Sequence, residues 1–278
     1  MATTPETATT CYRHKDRETG VSCSSCGRPI CPDCMTPTPV GMRCPECSRQ
    51  KTKVRTAATL TGDPQLAYAL IAISVVAFVA QVMSGGGIDG RDGTVYNEGA
   101  LFGPYVAGGD WWRIVTAGFL HAGPLHLLLN MYFLYFLGTL LEPTIGKWRF
   151  GVIYFVSLVG GSLGALFMDP NAATVGASGA VFGLMGAGIL AMRARGIDPM
   201  QSGLGVTLAL NLAIPFLIPN NISIGGHIGG LLAGGLVGYL TFELAERRRL
   251  ALRPVLAACT VIGVAIAVAC VLVAKANV

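Results

Sequence analysis

A serine at position 178 and a histidine at position 227 form a possible catalytic pair. Ser178 follows the turn Val175-Gly176-Ala177 and opens an apolar run, and His227 lies inside another apolar run. Polar and ionisable side chains in such runs are costly in lipid and are usually functional. An imidazole that takes the proton of a serine hydroxyl creates a nucleophile for acyl transfer. The pair therefore predicts a Ser–His dyad, with no carboxylate at the same depth to complete a triad.

A second polar pair, His126 and Asn130, lies four residues apart and therefore shares one face of a helix. Together with the backbone N–H of Ser178, both can donate hydrogen bonds to a developing oxyanion, and losing one such donor typically costs about 10²–10³ in rate. Taken singly, a serine in a membrane helix can be a packing residue, and a histidine can bond to a neighbouring helix. Asn211 is interpreted in that second, structural way.

The composition is typical of a chain that lies mostly in lipid. Of 278 residues, 52% are hydrophobic and only 13% are charged, whereas soluble domains average about 25% charged residues. The mean hydropathy is +0.57. The net charge of +5 does not indicate nucleic-acid binding, because the basic residues fall in short loops between apolar runs, where they set membrane orientation.

Seven apolar runs are predicted to cross the membrane as helices. They cover residues 66–83, 124–141, 150–167, 178–192, 203–218, 222–242 and 254–274. Basic residues are concentrated in alternate loops, so the positive-inside rule predicts a cytoplasmic N-terminus and an extracytoplasmic C-terminus. At a rise of about 1.5 Å per residue, all four polar side chains then fall in the outer third of the bilayer.

Glycines spaced four apart predict how these helices meet. The sixth run contains Gly226, Gly230, Gly234 and Gly238, and the fourth contains Gly179 and Gly183. Faces of this kind let two helix backbones approach closely. Such an approach would bring the Ser178 hydroxyl and the His227 imidazole within the roughly 3 Å that base activation requires.

The N-terminal region contains four ligand pairs, each with two residues between its members. Eight soft or borderline ligands suit two tetrahedral zinc ions, and cytoplasmic thiols stay reduced. Because neighbouring pairs are close in sequence, interleaved sites are predicted. One set is Cys11, His14, Cys31 and Cys34, and the other is Cys23, Cys26, Cys44 and Cys47. Zinc would supply the folding free energy of this small head, which is either purely structural or a docking module for a cytoplasmic partner. Cys259 and Cys270 are interpreted as packing residues.

Several of these motifs together resemble the rhomboid family of intramembrane serine proteases. The matching stretches are Trp112-Arg113, HAGPLHLLLN with His121, His126 and Asn130, GASGAVFG with Ser178, and GGHIGGLLAGG with His227. Glu142 matches an acidic residue that closes the second span in the family. The resemblance covers about residues 66–242.

The resemblance implies an all-α polytopic membrane protein, with a six-helix bundle to which this chain adds a seventh C-terminal span and a small N-terminal zinc-binding domain. It implies Ser178 as nucleophile, His227 as base, and His126 and Asn130 in the oxyanion site. Phe182 would stack on the base histidine, and His121 would be a structural residue of the outer loop. No cofactor would be needed for catalysis.

The predicted organisation is a disordered start over 1–10, the zinc head over 11–47, a basic linker over 48–65, the six-span core over 66–242, and a cytoplasmic loop with the seventh span over 243–278. The first ten residues lack the apolar core of a cleavable signal peptide. The predicted function is that of a multi-pass cell-membrane endopeptidase that cleaves transmembrane protein substrates near the outer face. An inert rhomboid-like adaptor that binds or dislocates client membrane proteins is the alternative. A transporter is disfavoured, because the polar residues lie on one side.

Overall fold

The computed structural model describes residues 9–49, 62–217 and 223–277; the first range belongs to one unit and the other two belong to a second. Parts of the predicted organisation lie outside the described residues: 1–8 of the disordered start, 50–61 of the linker, and 218–222, which join the fifth run to the sixth and include the last residue of one and the first of the other. Thr9 and Thr10 differ from the expected disorder. The Thr19 N–H donates to the Thr9 carbonyl at 2.9 Å, and Thr10 forms a bridge with Glu18, which closes the first ligand loop.

The N-terminal unit is a small fold built around its cysteines. Strands β1 (Thr36–Thr38) and β2 (Gly41–Arg43) form an antiparallel hairpin, followed by the short helix α1 (Pro45–Arg49). Six of its seven cysteines are buried, and Ile30 is the one large aliphatic side chain buried with them among the described residues. Apolar burial on this scale cannot offset the conformational entropy of some 40 residues, so this unit requires another source of stability.

The second unit consists mainly of helices, and each of the seven predicted runs contains one. The long helices are α2 (Gln65–Gln81), α6 (Pro124–Ile145), α7 (Lys147–Met168), α8 (Ser178–Ala194), α9 (Leu204–Leu217), α10 (Ile224–Gly238) and α11 (Leu252–Ala276). With the π turns that extend α2 to Gly86 and α10 to Ala245, five of them are long and apolar enough to cross a membrane. Helices α8 and α9 are the two shorter apolar helices among the described residues.

The segment between α2 and α6, predicted as a long loop, contains three short helices. They are α3 (Thr94–Gly99), α4 (Gly103–Gly108) and α5 (Arg113–Thr116). The buried Arg113 guanidinium holds them together, since it donates to the Asp110 carboxylate at 3.0 Å and to the carbonyls of Asn97 and Ala100 at 2.6 and 3.1 Å. This helical content depends on one arginine that joins distant parts of the segment, a contact that the local sequence pattern does not contain.

Helix α7 lies at the centre of the bundle and is in contact with α8, α10 and α11. A Cβ on Gly160 would lie 2.9 Å from the Gly229 carbonyl, and one on Gly164 would lie 2.1 Å from the Gly225 carbonyl, so α7 and α10 touch through their backbones. On the α11 side, Cys259 and Cys270 are fully buried, as their interpretation as packing residues requires.

Glu142 anchors the start of α2. Its buried carboxylate accepts the backbone N–H groups of Leu66 and Ala67, both at 2.9 Å, and so satisfies two of the free donors at the helix N-terminus. We expect Glu142→Gln to lower the free energy of unfolding by about 1–3 kcal/mol, because an amide group cannot accept both bonds and leaves a buried donor unpaired. Thermal unfolding in detergent measures this effect, with the exposed Glu98→Gln as the control. Equal midpoints for the two variants would contradict the anchoring role.

Candidate active site

Ser178 is the first residue of α8, and the loop before it is fixed to the segment between α2 and α6, which we call the outer segment after its predicted side of the membrane. The Gly176 N–H donates to the Ala117 carbonyl at 2.9 Å, and Leu101 pairs with Thr174 in an antiparallel bridge. Gly176 has φ +126°, a backbone conformation that side-chain-bearing residues rarely adopt. The position of the serine is therefore set by the outer segment as well as by its own helix.

The N-terminus of α8 supplies free backbone donors beside the Ser178 side chain. The first helical bond runs from the Val181 N–H to the Ala177 carbonyl at 3.0 Å, so the N–H groups of Ser178 and Gly179 have no acceptor within the helix. The helix dipole places partial positive charge at this end. A negative oxygen formed on a carbon attached to Ser178 would therefore be stabilised here.

His227 lies in the first turn of α10 and is almost completely buried. Its ring stacks on Phe182, with centroids 4.1 Å apart and an interplanar angle of 21°, which confirms the expected stacking. Phe182 is one helical turn after Ser178, so this contact orients the imidazole relative to the helix that carries the serine. The Nδ1 atom of His227 is buried and has no hydrogen-bond partner among the described residues.

The glycine faces bring α8 and α10 into backbone contact. A Cβ on Gly230 would lie 2.1 Å from the Gly179 carbonyl oxygen, and one on Gly234 would lie 2.3 Å from the Gly183 Cα. Gly179 follows Ser178 directly, and Gly230 is one turn after His227. The predicted contact between these two faces is therefore present where the two polar side chains lie.

Ser178 and His227 line one cavity of about 630 Å³, together with His126. The walls come from the outer segment, α7, the loop before α8 and the first turn of α10, and many of them are glycine or alanine. No hydrogen bond among the described residues joins the Ser178 and His227 side chains. Such bonds are often long in enzymes without substrate and tighten when substrate binds.

His126 presents a hydrogen-bond donor next to the loop that precedes the serine. Its Nδ1 accepts the Ala122 N–H at 3.2 Å, so the neutral ring carries its proton on Nε2. A Cβ on Gly176 would lie 2.9 Å from that Nε2 and 2.7 Å from Cε1. The Nε2–H therefore lies against the Gly176 backbone, two residues before Ser178.

His121 packs edge-on against His126, with ring centroids 5.3 Å apart. Burial, with a contribution from His126, lowers the pKa of His121 to about 3, so its ring is neutral at neutral pH. Its Nδ1–H donates to the Phe119 carbonyl at 3.2 Å. His121 is thus a buried residue of the outer segment whose ring packs against the His126 ring and helps to fix its position.

Asn130 is not among the residues that line the cavity. It lies one turn below His126 on α6, and its side-chain amide donates to the His126 carbonyl at 2.9 Å. Its predicted place in the oxyanion site therefore stays a prediction. Its spacing predicts that Asn130 shares a helical face with His126. Whether it also lines the cavity depends on how deep the cavity extends, which is set by the helices that pack against α6.

Gln81, the last residue of α2, is a positioning residue that the sequence analysis missed. Its fully buried amide donates to the carbonyls of Gly90 and His121 at 2.9 and 3.1 Å and accepts the His121 N–H at 3.0 Å. Ala122, the residue after His121, donates its N–H to the His126 Nδ1 and so fixes the tautomer of that ring. By holding His121, Gln81 therefore links α2 to His126. A glutamine near the end of an apolar run was the one signal available.

The N-terminal unit contains two sets of side chains that can each hold a metal ion. They are Cys11, His14, Cys31 and Cys34, and Cys23, Cys26, Cys44 and Cys47, with all ligand atoms of a set within 4.8 Å of one another. Two thiolates on one tetrahedral ion at about 2.3 Å lie about 3.8 Å apart. The Cys26 and Cys44 sulfurs are 3.8 Å apart, and the His14 Nδ1 lies 3.3 and 3.5 Å from the sulfurs of Cys31 and Cys34. Both sets therefore fit a tetrahedral ion.

Comparison with known proteins agrees with the arrangement of the helical unit. Residues 108–244 match the family model of the rhomboid domain. This segment, close to half of the chain, is similar to rhomboid domains. The second, fourth and sixth predicted runs, which supply His126, Ser178 and His227, all lie within the matched segment.

Several curated proteins are similar to part of the chain. Rhomboid protease GluP of Bacillus subtilis is 33% identical over 138 residues, which is 50% of this chain and 27% of that protein. Rhomboid-like protease 3 of Toxoplasma gondii is 34% identical over 127 residues, 46% of this chain and 48% of that protein. RHOMBOID-like protein 4 of Arabidopsis thaliana is 49% identical over 82 residues, 29% and 21% of the two chains. The chain thus spans about a fifth to a half of the length of these relatives.

Gly230 tests the close backbone contact between α8 and α10. We expect Gly230→Ala to lower the free energy of unfolding by about 1–3 kcal/mol, because its Cβ would overlap the Gly179 carbonyl and overpacking of a tight contact costs that much. Gly235→Ala is the matched control on the same helix, since nothing lies within 4 Å of its Cβ. Thermal unfolding of both variants in detergent measures the effect, and equal midpoints would contradict it.

Proposed function

We propose that this protein is an intramembrane serine endopeptidase that acts through a Ser178–His227 dyad. One observation carries the proposal: the serine and the histidine line the same cavity, beside the free N–H groups at the start of α8. Two of the similar proteins are named as rhomboid proteases, which supports protease chemistry for the domain.

The proposed reaction proceeds in two steps. His227 takes the proton of the Ser178 hydroxyl as its oxygen attacks the carbonyl carbon of the cut bond, and the resulting imidazolium then protonates the leaving amine. This leaves the amino-terminal part of the substrate as an ester on Ser178. Water, deprotonated by His227, attacks the ester, and the serine regains its proton as the carboxylic acid leaves.

The negative oxygen formed in each step needs hydrogen-bond donors. The backbone N–H of Ser178 and the Nε2–H of His126 are the two that we assign, with Asn130 as a further member of the predicted oxyanion site. Donors that are fixed before the reaction starts stabilise this charge without reorganisation. The bond from Ala122 to His126, held in turn by Gln81, supplies that fixation.

We propose that the substrates are transmembrane proteins cut near the outer face of the cell membrane. The proposed orientation has a cytoplasmic N-terminus and an extracytoplasmic C-terminus, because one side of the bundle concentrates the basic residues. These are Lys147, Arg149, Arg193, Arg195, Arg247, Arg248, Arg249 and Arg253. A substrate helix must unwind at the cut bond to expose its carbonyl, and glycine and alanine walls leave room for small flanking residues.

For the N-terminal unit we propose two structural zinc ions. Thiolate and imidazole ligands in tetrahedral sets favour zinc, and its binding would provide the stability that so few apolar side chains cannot. The ions would take no part in peptide cleavage. We also propose that the unit docks a cytoplasmic partner or substrate tail.

Reconstitution with a single-span reporter tests the proposed function. Purified protein in liposomes should cut the reporter once, in the outer third of its span, and mass spectrometry of the two products should locate the bond. A reporter that is bound but never cut would contradict the protease proposal and favour the inert adaptor.

A further inference from the structure

Two charged side chains, Arg91 and Asp169, line the same cavity as Ser178. Both are exposed, and neither forms an ion pair or a side-chain hydrogen bond with any other part of the chain that the structure describes. They come from different parts of the wall. Arg91 belongs to the outer segment, on the side of His126. Asp169 directly follows α7, whose last residue Met168 lies against Gly225 in the first turn of α10.

The backbone just before Arg91 is anchored. The preceding Gly90 has its carbonyl bonded to the buried Gln81 amide at 2.9 Å, and a Cβ on Gly90 would lie 2.9 Å from the Phe78 ring. The Arg91 side chain therefore starts from a fixed point in the cavity wall.

Asp169 lies at a position that is unfavourable for a carboxylate. It is the C-cap residue of α7, and its N–H donates to the Ala165 carbonyl at 2.9 Å. The C-terminus of a helix carries partial negative charge, so an acid there is destabilising and a base would be favoured. No cation in the described residues compensates for it. Local rules broken without compensation are expected at functional sites.

We propose that Arg91 and Asp169 select the substrate: they favour a segment with an acidic side chain beside Arg91 and a basic side chain beside Asp169, around the small residues at the cut bond. This inference rests on the proposed protease function. An opposite charge on the substrate would be attracted to each of these two side chains. A substrate of matching charge would thus replace the missing partners of both side chains.

Three single-span reporters test the selection in liposomes. One has glutamine on both sides of the cut bond, one has glutamate before it and lysine after it, and one has the reverse order. An exposed ion pair is worth up to about fivefold in binding. We therefore expect kcat/KM for the preferred charge order to exceed that for the reverse order by about five- to twentyfold, and the difference to shrink at high salt.

Reversing the charges of the protein should reverse the preference. In Arg91→Glu/Asp169→Arg, the reporter that the wild type cuts slowly should become the faster one, with each enzyme referenced to its own rate on the glutamine reporter. The matched control is Arg193→Glu/Asp198→Arg, a pair that lines a separate groove, and it should keep the wild-type order. Equal rates for both charged reporters, or an unchanged order after reversal, would overturn the proposal. Failure of the wild type to cut any reporter faster than Ser178→Ala would instead contradict the protease function itself.

Discussion

Substitution of either Ser178 or His227 by alanine is expected to lower kcat/KM for a cleavable reporter by about 10⁴–10⁶-fold, as for other serine nucleophiles and their bases. Without the hydroxyl no ester can form, and without the imidazole the hydroxyl stays protonated. Because the two groups act as one unit, the double variant should be no slower than either single variant. Initial rates in liposomes of identical composition measure all three.

Ser223 provides the matched control for this prediction. It also lines the cavity, but its hydroxyl accepts the Gly226 N–H at 3.1 Å and caps α10. Ser223→Ala should therefore cost about 1 kcal/mol of stability and only a small part of the activity. If Ser178→Ala cleaved as fast as Ser223→Ala, another nucleophile would have to be sought.

Removal of metal is expected to unfold the N-terminal unit completely. Structural zinc contributes about 10–16 kcal/mol in small zinc-dependent folds, far more than burial of Ile30 and a few partly buried side chains can provide. A chelator should therefore make residues 9–49 sensitive to protease and release two zinc ions per chain.

Single ligand substitutions distinguish the two sites. Cys34→Ser should remove the ion of the set that contains His14, and Cys26→Ser should remove the other, so that each variant retains about one zinc by elemental analysis. Cys259→Ala removes a cysteine outside both sets and should retain two. One zinc or none in the wild type would contradict the proposed pairing.

Periodic features of the sequence predicted much of the helical unit. Apolar runs located all seven helices, because length and hydropathy are local properties. The repeat at Gly230 and Gly234 also predicted a contact that the structure contains. The matching repeat on α7, at Gly160 and Gly164, was not singled out, although it forms the second backbone contact of α10.

Features that depend on single long-range contacts were harder to predict. The three short helices of the outer segment are held by Arg113, and the His126 donor is fixed through Gln81. Neither contact leaves a periodic signal, because each joins a side chain to backbone carbonyls elsewhere. Asn130 illustrates the limit of a periodic signal. Its spacing correctly placed it on the same helical face as His126, but sharing that face does not make it line the cavity.

The ligand sets of the N-terminal unit followed from spacing because the geometry of metal ligands is restrictive. Two residues between ligands place both on one ion, and short separations between neighbouring pairs favour interleaving. The sequence left the hairpin of β1 and β2 unpredicted, since its strands are three residues long and contain no alternating pattern.

The most direct measurement of the central claim is covalent labelling by a fluorophosphonate, which reacts fastest with a serine hydroxyl activated by a base. Wild-type protein in liposomes should be labelled once, on the peptide that contains Ser178, and His227→Ala should lose the label. Labelling of another residue, or equal labelling of Ser178 with and without His227, would contradict a Ser178–His227 dyad.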